Sequence, residues 1–532
     1  MTAPLWLFIW IMFMAFAVRR LILYLHVFQQ EEYDAPRFLK WVVTTGSFDK
    51  RLSLWVASLL VIMMFFAHLQ GWVAVAIVGG LFISAAWRER NPVKDAKKKL
   101  VLPARAKRIL AIAIIYAGAR GLVFAFLYLH PIYWLIPIQA MPLMLALAVW
   151  TLAPQEAFVQ RRYWREAHEK LGRLEPKVIG ITGSFGKTSA KHILSHVLEA
   201  ASTGLATPGR VNTPMGITRI VRERLKPEHR YFIAEMGAYG PGSIERLCQL
   251  APPDMAIVTA IGVAHYERFK THDTVASTKF ELAEAAVARG GKVIVAEDVL
   301  IHAPARAFAE RHPDAMIVCG TGDACDLQIL ETSQTKDGLT LKLAWQGERL
   351  DLSIPLFGEH QLTNIAVVFA AACTHGIDTE AVVLALKTTP QIAHRFEVKP
   401  GANGSTLIDD AYNSNPQGFA SALAALDILV EPGGKRVLAT PGMVELGPAH
   451  DDEQRRLGEI AAAHVDVLLA IAPERSESFV AAFDEHKSES AERDRCTEFS
   501  EANDWISDNA ASGDAVLLEN DLPDLYERRL QI

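Results

Sequence analysis

The reading turns on one stretch, Lys177-Val178-Ile179-Gly180-Ile181 followed by Thr182-Gly183-Ser184-Phe185-Gly186-Lys187-Thr188-Ser189. The first five residues are a short, largely β-branched run and predict a strand. A helical pattern follows, from Ala190 to about Ala201. Strand, glycine-rich loop, Lys-Thr and helix together make a phosphate-loop arrangement. In such a loop, backbone N–H groups and the helix N-terminus cradle phosphate oxygens. Lys187 supplies a point charge for the β and γ oxygens, and the Thr188 hydroxyl suits Mg2+. Gly183, Gly186, Lys187, Thr188 and Ser189 are therefore candidate nucleotide-binding residues. The general spelling also wants a glycine five residues before Gly186, where this chain has Ile181.

Further segments line up downstream. They are Asn212-Thr213-Pro214-Met215-Gly216, the acid-ended strand Tyr231-Phe232-Ile233-Ala234-Glu235-Met236-Gly237, and the strand Ala256-Ile257-Val258-Thr259 leading to His265 and Lys279-x-Glu281. Then come Gly358-Glu359-His360-Gln361-Leu362-Thr363-Asn364, His394-Arg395-Phe396-Glu397, Ile408-Asp409-Asp410-Ala411-Tyr412-Asn413-Ser414-Asn415-Pro416 and Gly442-Met443-Val444-Glu445-Leu446-Gly447. In this order, and with the shorter loop spelling Thr-Gly-x-x-Gly-Lys-Thr, they resemble the Mur ligase superfamily over about residues 174–520. The resemblance is nearest to its D-alanyl-D-alanine-adding type.

That resemblance implies ATP and Mg2+ as cofactors and an activated carboxylate that an amine attacks. It implies Thr188 and Glu235 as Mg2+ ligands and His265 as ligand of a second ion. Lys279 matches the lysine that becomes a carbamate in many relatives, and Lys187, Lys279 and His265 are the implied catalytic set. Asn364, Arg395, Asp410 and Asn413 would contact the nucleotide. Read from residues alone, each has a structural alternative: a strand-end acid at Glu235, helix caps at His265 and Asn364, an unmodified lysine at Lys279, a linker ion pair at Arg395, and turn chemistry at Asp410 and Asn413.

The first 152 residues read differently. Apolar stretches at 4–18, 53–87, 109–129 and 131–152 stand out, and a span needs about 17–25 apolar residues. Dividing 53–87 around His68-Leu69-Gln70-Gly71 predicts about five spans, the first short enough to lie along the interface. Segment 88–108 carries nine Lys/Arg (Arg88, Arg90, Lys94, Lys97, Lys98, Lys99, Arg105, Lys107, Arg108) against Glu89 and Asp95. By the positive-inside rule it is cytoplasmic, as is 19–52 with Arg19, Arg20, Lys50 and Arg51. Arg120 falls inside a span, as a functional or a neighbour-satisfied structural charge. Residues 155–173, with Arg161, Arg162, Tyr163, Trp164 and Arg165, read either as a helix for a lipid headgroup surface or as a plain linker. The net charge of −6 excludes no small-molecule chemistry but gives no reason for a nucleic-acid partner. Five scattered cysteines without CxxC pairing favour a reducing compartment.

The expected architecture is an α-helical transmembrane region (1–152), a juxtamembrane linker (153–173), a phosphate-loop α/β central domain (174–393) and a Rossmann-like C-terminal α/β domain (394–532). The central sheet is expected to be mostly parallel, with antiparallel hairpins over 326–356 packed beside it. Two departures from the resemblance stand out. Membrane spans take the place of a UDP-sugar-binding domain, and Glu519-Asn520-Asp521 replaces a basic terminal motif. The expected function is a multi-pass, cytoplasmic-membrane ATP-dependent ligase of unknown carboxylate and amine substrates. Its setting would be cell-envelope precursor or polymer synthesis, in contact with the bilayer and with other envelope-synthesis proteins. Rival readings are a poly-γ-glutamate-synthase-like polymer ligase, an ATP-driven transporter and a silent membrane scaffold.

Overall fold

The computed structural model describes residues 3–31, 33–65, 72–89, 91–93, 99–126, 131–209, 211–262, 269, 271–411, 416–443, 446 and 449–520. The chain divides into a helical unit up to Val159 and an α/β unit, Gln160–Asp521.

In the helical unit, helices run Ala3–Gln30, Ala35–Thr44, Arg51–Phe65, Trp72–Arg88, Ala104–Phe126 and Met141–Leu174, the last continuing beyond the unit. Three contain segments long and apolar enough to cross a membrane: Leu7–Gln30, Ala104–Ala125 and Met141–Leu174. Arg51–Phe65 has 15 residues and Trp72–Arg88 has 17, the second at the lower limit for a span of about 17–25. The division at His68–Gly71 lies outside the described residues. The first helix corrects the sequence reading. It does not stop at residue 18 but carries Arg19 and Arg20 within it. Arg20 is buried, its guanidinium 2.7 Å from Asp49 and 2.8 Å from Glu89, so its charge is neutralised inside the protein and does not report orientation. The apolar core here is aromatic, with the Phe13 ring 5.5 Å from Phe82 and 5.1 Å from Trp134.

Met141–Leu174 is one helix running through Pro154. Its C-terminal aromatic and charged residues are used in protein contacts. Arg222 lies 3.7 Å from the centroid of the Tyr163 ring and donates to Glu166 at 2.8 Å. Trp164 stacks on His168. These contacts favour the linker reading of 155–173.

The α/β unit holds two sheets. The first is nine-stranded, built from β1 (Lys177–Thr182), β2 (Gly204–Ala206), β3 (Tyr231–Glu235), β4 (Met255–Val258), β5 (Lys292–Ala296), β6 (Met316–Gly320), β7 (Leu327–Thr335), β8 (Gly338–Trp345) and β9 (Glu348–Ile354), in the order β2-β3-β1-β4-β5-β6-β7-β8-β9. Pairing is parallel through β7 and antiparallel from β7 to β9. The hairpins are thus not packed beside the parallel sheet but extend it. β1 is buried at every residue after Lys177, as a strand covered on both faces must be. Helix Gln361–Thr374 is buried from Asn364 through Ala372, which explains its apolar run.

The second sheet contains β10 (Glu397–Pro400), β11 (Thr406–Asp410), β12 (Arg436–Thr440), β13 (Val467–Ile471), β14 (Glu492–Cys496) and β15 (Ala515–Glu519), ordered β10-β11-β15-β12-β13-β14. All pairs are parallel except β10 with β11. β10 and β14 form its two edges. β14 is Glu-Arg-Asp-Arg-Cys, and only its cysteine is buried.

Candidate active site

The loop after β1 and the start of helix Lys187–Glu199 build the site. Gly186 occupies the turn into the helix with φ +78°, a backbone that glycine adopts without steric cost. Lys187 folds over the loop, its ammonium donating to the Gly183 carbonyl at 2.6 Å and to that of Ser184 at 3.2 Å. The Thr259 hydroxyl after β4 donates to the Phe185 carbonyl and fixes the loop from beneath.

β3 pairs directly with β1, Ile181 opposite Glu235, and this register brings Glu235 to the loop. The Thr188 hydroxyl donates to Glu235 Oε2 at 3.1 Å. The carboxylate is buried, yet more than a strand-end acid. Burial alone would raise its pKa, but Lys191, then Lys187 and the Asn212 amide, hold it below the ordinary carboxylate range. Burial penalises both members of the pair and draws the Lys191 ammonium below its usual value even though Glu235 supports it. A hydroxyl and a carboxylate oxygen this close are oxygen donors that fit Mg2+, while the helix N-terminus beside them suits phosphate.

Lys279 sits on helix His272–Val287, 4% exposed. Burial, then the neighbouring Lys187 charge, hold it well below an ordinary lysine. It is therefore not a surface lysine. Asn364 lies inside its helix rather than capping it, and a Cβ built on Gly186 would fall 2.2 Å from its Oδ1. Its Nδ2 donates to Gln361 Oε1 at 3.0 Å, and Gln361 in turn reaches Ser189 Oγ at 3.4 Å. Gln361 thus links the two helices that flank the loop.

Residues 394–410 are close by, with Arg395 acting on Lys191. His394 holds a left-handed backbone, φ +59°, that glycine would adopt freely. Its Nδ1 lies 2.9 Å from Asp409 Oδ2, which also accepts from Lys399 at 2.8 Å. Phe396, φ +52°, donates its N–H to Asp410 Oδ1 at 3.1 Å. Asp410 ends β11 rather than shaping a turn, and burial pushes its carboxyl up to about 6 against the pull of Arg395. His360, half-buried against the Phe396 ring, is pulled down to about 4 by desolvation and by Arg395.

Lys187, Thr188, Ser189, Glu235, Lys279 and Asn364 are brought together, with Arg395 near enough to bear on Lys191, His360 and Asp410. His265 and Asn413 lie outside the described residues. Sequence reasoning missed Lys191 and Gln361. The available signal for Lys191 was a lysine one helical turn beyond Lys187, flanked by Ala190, Ile193 and Leu194.

Known protein families match both sheets of the α/β unit. The family model of the Mur ligase middle domain matches residues 181–372, and that of the Mur ligase glutamate ligase domain matches 394–519. The UDP-N-acetylmuramoyl-tripeptide–D-alanyl-D-alanine ligase of Mycobacterium bovis is 34% identical over 288 residues, 53% of this chain and 56% of that protein. The Bacillus subtilis enzyme of the same name is 27% identical over 354 residues, covering 66% and 74%. This chain therefore spans little more than half of the mycobacterial relative. Among solved structures, MurF from Acinetobacter baumannii superposes with a TM-score of 0.59 at 23% identity, covering 68% of this chain and 77% of that one. MurF from Thermotoga maritima in complex with ADP gives 0.57 at 24%, covering 70% and 82%. Through its middle and C-terminal domains, matched in order over the two α/β sheets, the chain belongs to the Mur ligase family.

Proposed function

We propose that this protein is a membrane-anchored, ATP-dependent carboxylate–amine ligase of cell-envelope precursor or polymer synthesis. The observation that carries the reading is the Thr188–Glu235 pair, 3.1 Å apart at a phosphate loop whose lysine is folded over it. ATP with Mg2+, when bound, supplies the phosphoryl group that turns a carboxylate into an acyl phosphate open to amine attack. Thr188 and Glu235 would hold the metal, joined by His265 for a second ion. Gly183, Gly186 and Ser189 shape the phosphate cradle, and Lys187 offsets phosphate charge. Asn364, Arg395, Asp410 and Asn413 would close over the nucleotide. Lys279, buried and drawn toward its neutral amine, suits carbamate formation, which would turn a cation into an anion beside the metal site.

Membrane attachment is supported by the three long apolar helices and by large apolar side chains that face outward on them, among them Ile115, Val123 and Trp150. In this reading the catalytic domains are cytoplasmic and the helical unit sits in the cytoplasmic membrane beside other envelope-synthesis proteins. A C-terminal ligase domain over 394–519 supports the ligase over the polymer-synthase, transporter and scaffold readings.

The test is phosphate release by the purified protein with ATP, Mg2+ and pools of amino acids, D-dipeptides and envelope precursors. A substrate pair should stimulate release, and Lys187→Ala should abolish it. A folded, ATP-binding protein that no pool stimulates would remove the ligase claim, and full turnover by Lys187→Ala would remove the site assignment.

A further inference from the structure

Phosphate-loop chemistry calls for one lysine, and Lys187 fills that place. The structure sets a second cation into the same site. Lys191 stands one turn further along the helix, its side chain 5% exposed, with its ammonium 2.8 Å from Glu235 Oε2 and hydrogen-bonded to the Gly209 carbonyl. This is the same oxygen that accepts the Thr188 hydroxyl. The other carboxylate oxygen accepts from Asn212 Nδ2 at 3.2 Å, and Asn212 is itself held by the Tyr239 hydroxyl at 2.8 Å. The Glu235 N–H donates to Thr207 Oγ1 at 3.1 Å. Glu235 is thus fixed at both oxygens and at its backbone, and its charge is balanced by a buried, tethered cation.

We propose that Lys191 is a positioning residue that governs metal entry: it holds Glu235 ready but neutralised, so that the divalent cation is taken up with nucleotide phosphates and not alone. The inference rests on the ligase reading of the site. A divalent ion approaching Oε2 meets a fixed positive charge bonded to that same atom, and in a buried site such repulsion is only weakly screened. The nucleotide's phosphates supply the negative charge that Glu235, already paired, does not. Burial gives the pair its second property. Neither charge is tolerated there without the other, so the ammonium keeps the carboxylate aimed at Thr188. A lysine suits this role because its compact charge engages Oε2 and the Gly209 carbonyl together.

The experiment uses the full chain in detergent, with Mn2+ as probe, followed by electron paramagnetic resonance with and without ADP. The unaltered protein should bind Mn2+ weakly alone and well with ADP. Lys191→Gln, which keeps a hydrogen-bond donor but no charge, should bind nucleotide-free Mn2+ at least about tenfold more tightly. Lys191→Arg should restore the unaltered behaviour. Adding Glu235→Gln to Lys191→Gln should remove the gained metal site. Unchanged nucleotide-free affinity in Lys191→Gln, with ADP binding retained, would overturn the inference. So would tight nucleotide-free binding by the unaltered protein, a measurement that needs no variant to fold. Failure of the unaltered protein to bind ADP at all would instead overturn the active-site reading.

Discussion

Gly186→Ala probes the loop at the point where backbone conformation and side-chain contact coincide. The glycine has φ +78°, and an added Cβ would lie 2.2 Å from Asn364 Oδ1 and 3.1 Å from its Cγ. A residue with a Cβ in the left-handed region costs about 1–2 kcal/mol. The overlap must also displace Asn364, which is buried and bonded to Gln361 at 3.0 Å, at a further cost of about 0.5–1.5 kcal/mol. The total, about 1.5–3.5 kcal/mol, is below the 5–15 kcal/mol of an ordinary fold, so the variant should remain folded. Differential scanning fluorimetry should show a melting point lower by roughly 2–4 °C for each kcal/mol. Titration with a fluorescent ADP analogue should show affinity reduced about tenfold or more, because loop and Asn364 are displaced together. Gly290→Ala is the control: φ is +76° there, but nothing lies within 4 Å of the added Cβ. It should lower the melting point and leave ADP binding unchanged. Nucleotide affinity in Gly186→Ala within about twofold of the unaltered protein would refute the reasoning.

Half-buried His360 and buried Asp410 titrate in opposite senses. His360, lowered from 6.5 to about 4, gives stability that is present above pH 6.5 and lost as pH falls toward 4, about 3 kcal/mol at 1.36 per pH unit. His360→Gln should remove that loss in denaturant titrations at pH 7 and pH 4.5, and an unchanged pH difference would disprove it. Asp410, raised from 3.8 to about 6, costs the fold stability above pH 6 and ceases to as pH falls through 6 toward 3.8. Asp410→Asn should therefore stabilise by up to about 3 kcal/mol at pH 8 and by little near pH 4; equal effects at both would count against it. Lys279, held toward its neutral amine, should give a carbamate carbon signal with 13C-bicarbonate that Lys279→Ala lacks. An identical spectrum from the variant would exclude the modification there. Arg20→Met leaves Asp49 and Glu89 buried without their cation and should destabilise by about 3–5 kcal/mol in detergent calorimetry. An unchanged melting point would show that the cluster is not coupled to folding.

The legible parts of the sequence were those that local patterning determines. β1 and its loop could be read because a strand covered on both faces must be apolar and the phosphate cradle must contain glycine. What escaped depends on partners distant in sequence. β14 is polar because it closes a sheet edge, so no alternation marks it. Arg19 and Arg20 look like loop charges until Asp49 and Glu89 are seen to enclose Arg20 within a helix. Lys191 was invisible for the same reason: its counter-charge, Glu235, is 44 residues away and reaches it only through the β1–β3 register. His394 likewise gives no sign in the sequence of its left-handed backbone, φ +59°, on a residue that carries a side chain.

The functional reading does not depend on motif spelling alone, because the groups most costly to the fold gather at one place. Lys279 is buried beside another cation, Asp410 is pushed up to about 6, and His360 is drawn down to about 4. His394 and Phe396 both hold left-handed backbone, at a cost of about 1–3 kcal/mol each for such residues. A sequence shaped for stability alone would replace a lone buried lysine by leucine and put glycine at position 394. Strain and desolvation of this kind persist where some other requirement maintains them. The nearest requirement on the page is the phosphate loop, which Lys187 links to Lys279 by charge and Gly186 links to Asn364 by contact. Arg395 then joins Lys191 to Asp410 and His360. An inert scaffold would have no reason to keep these costs together. A site that must bind crowded anions and a metal, and then release them, does.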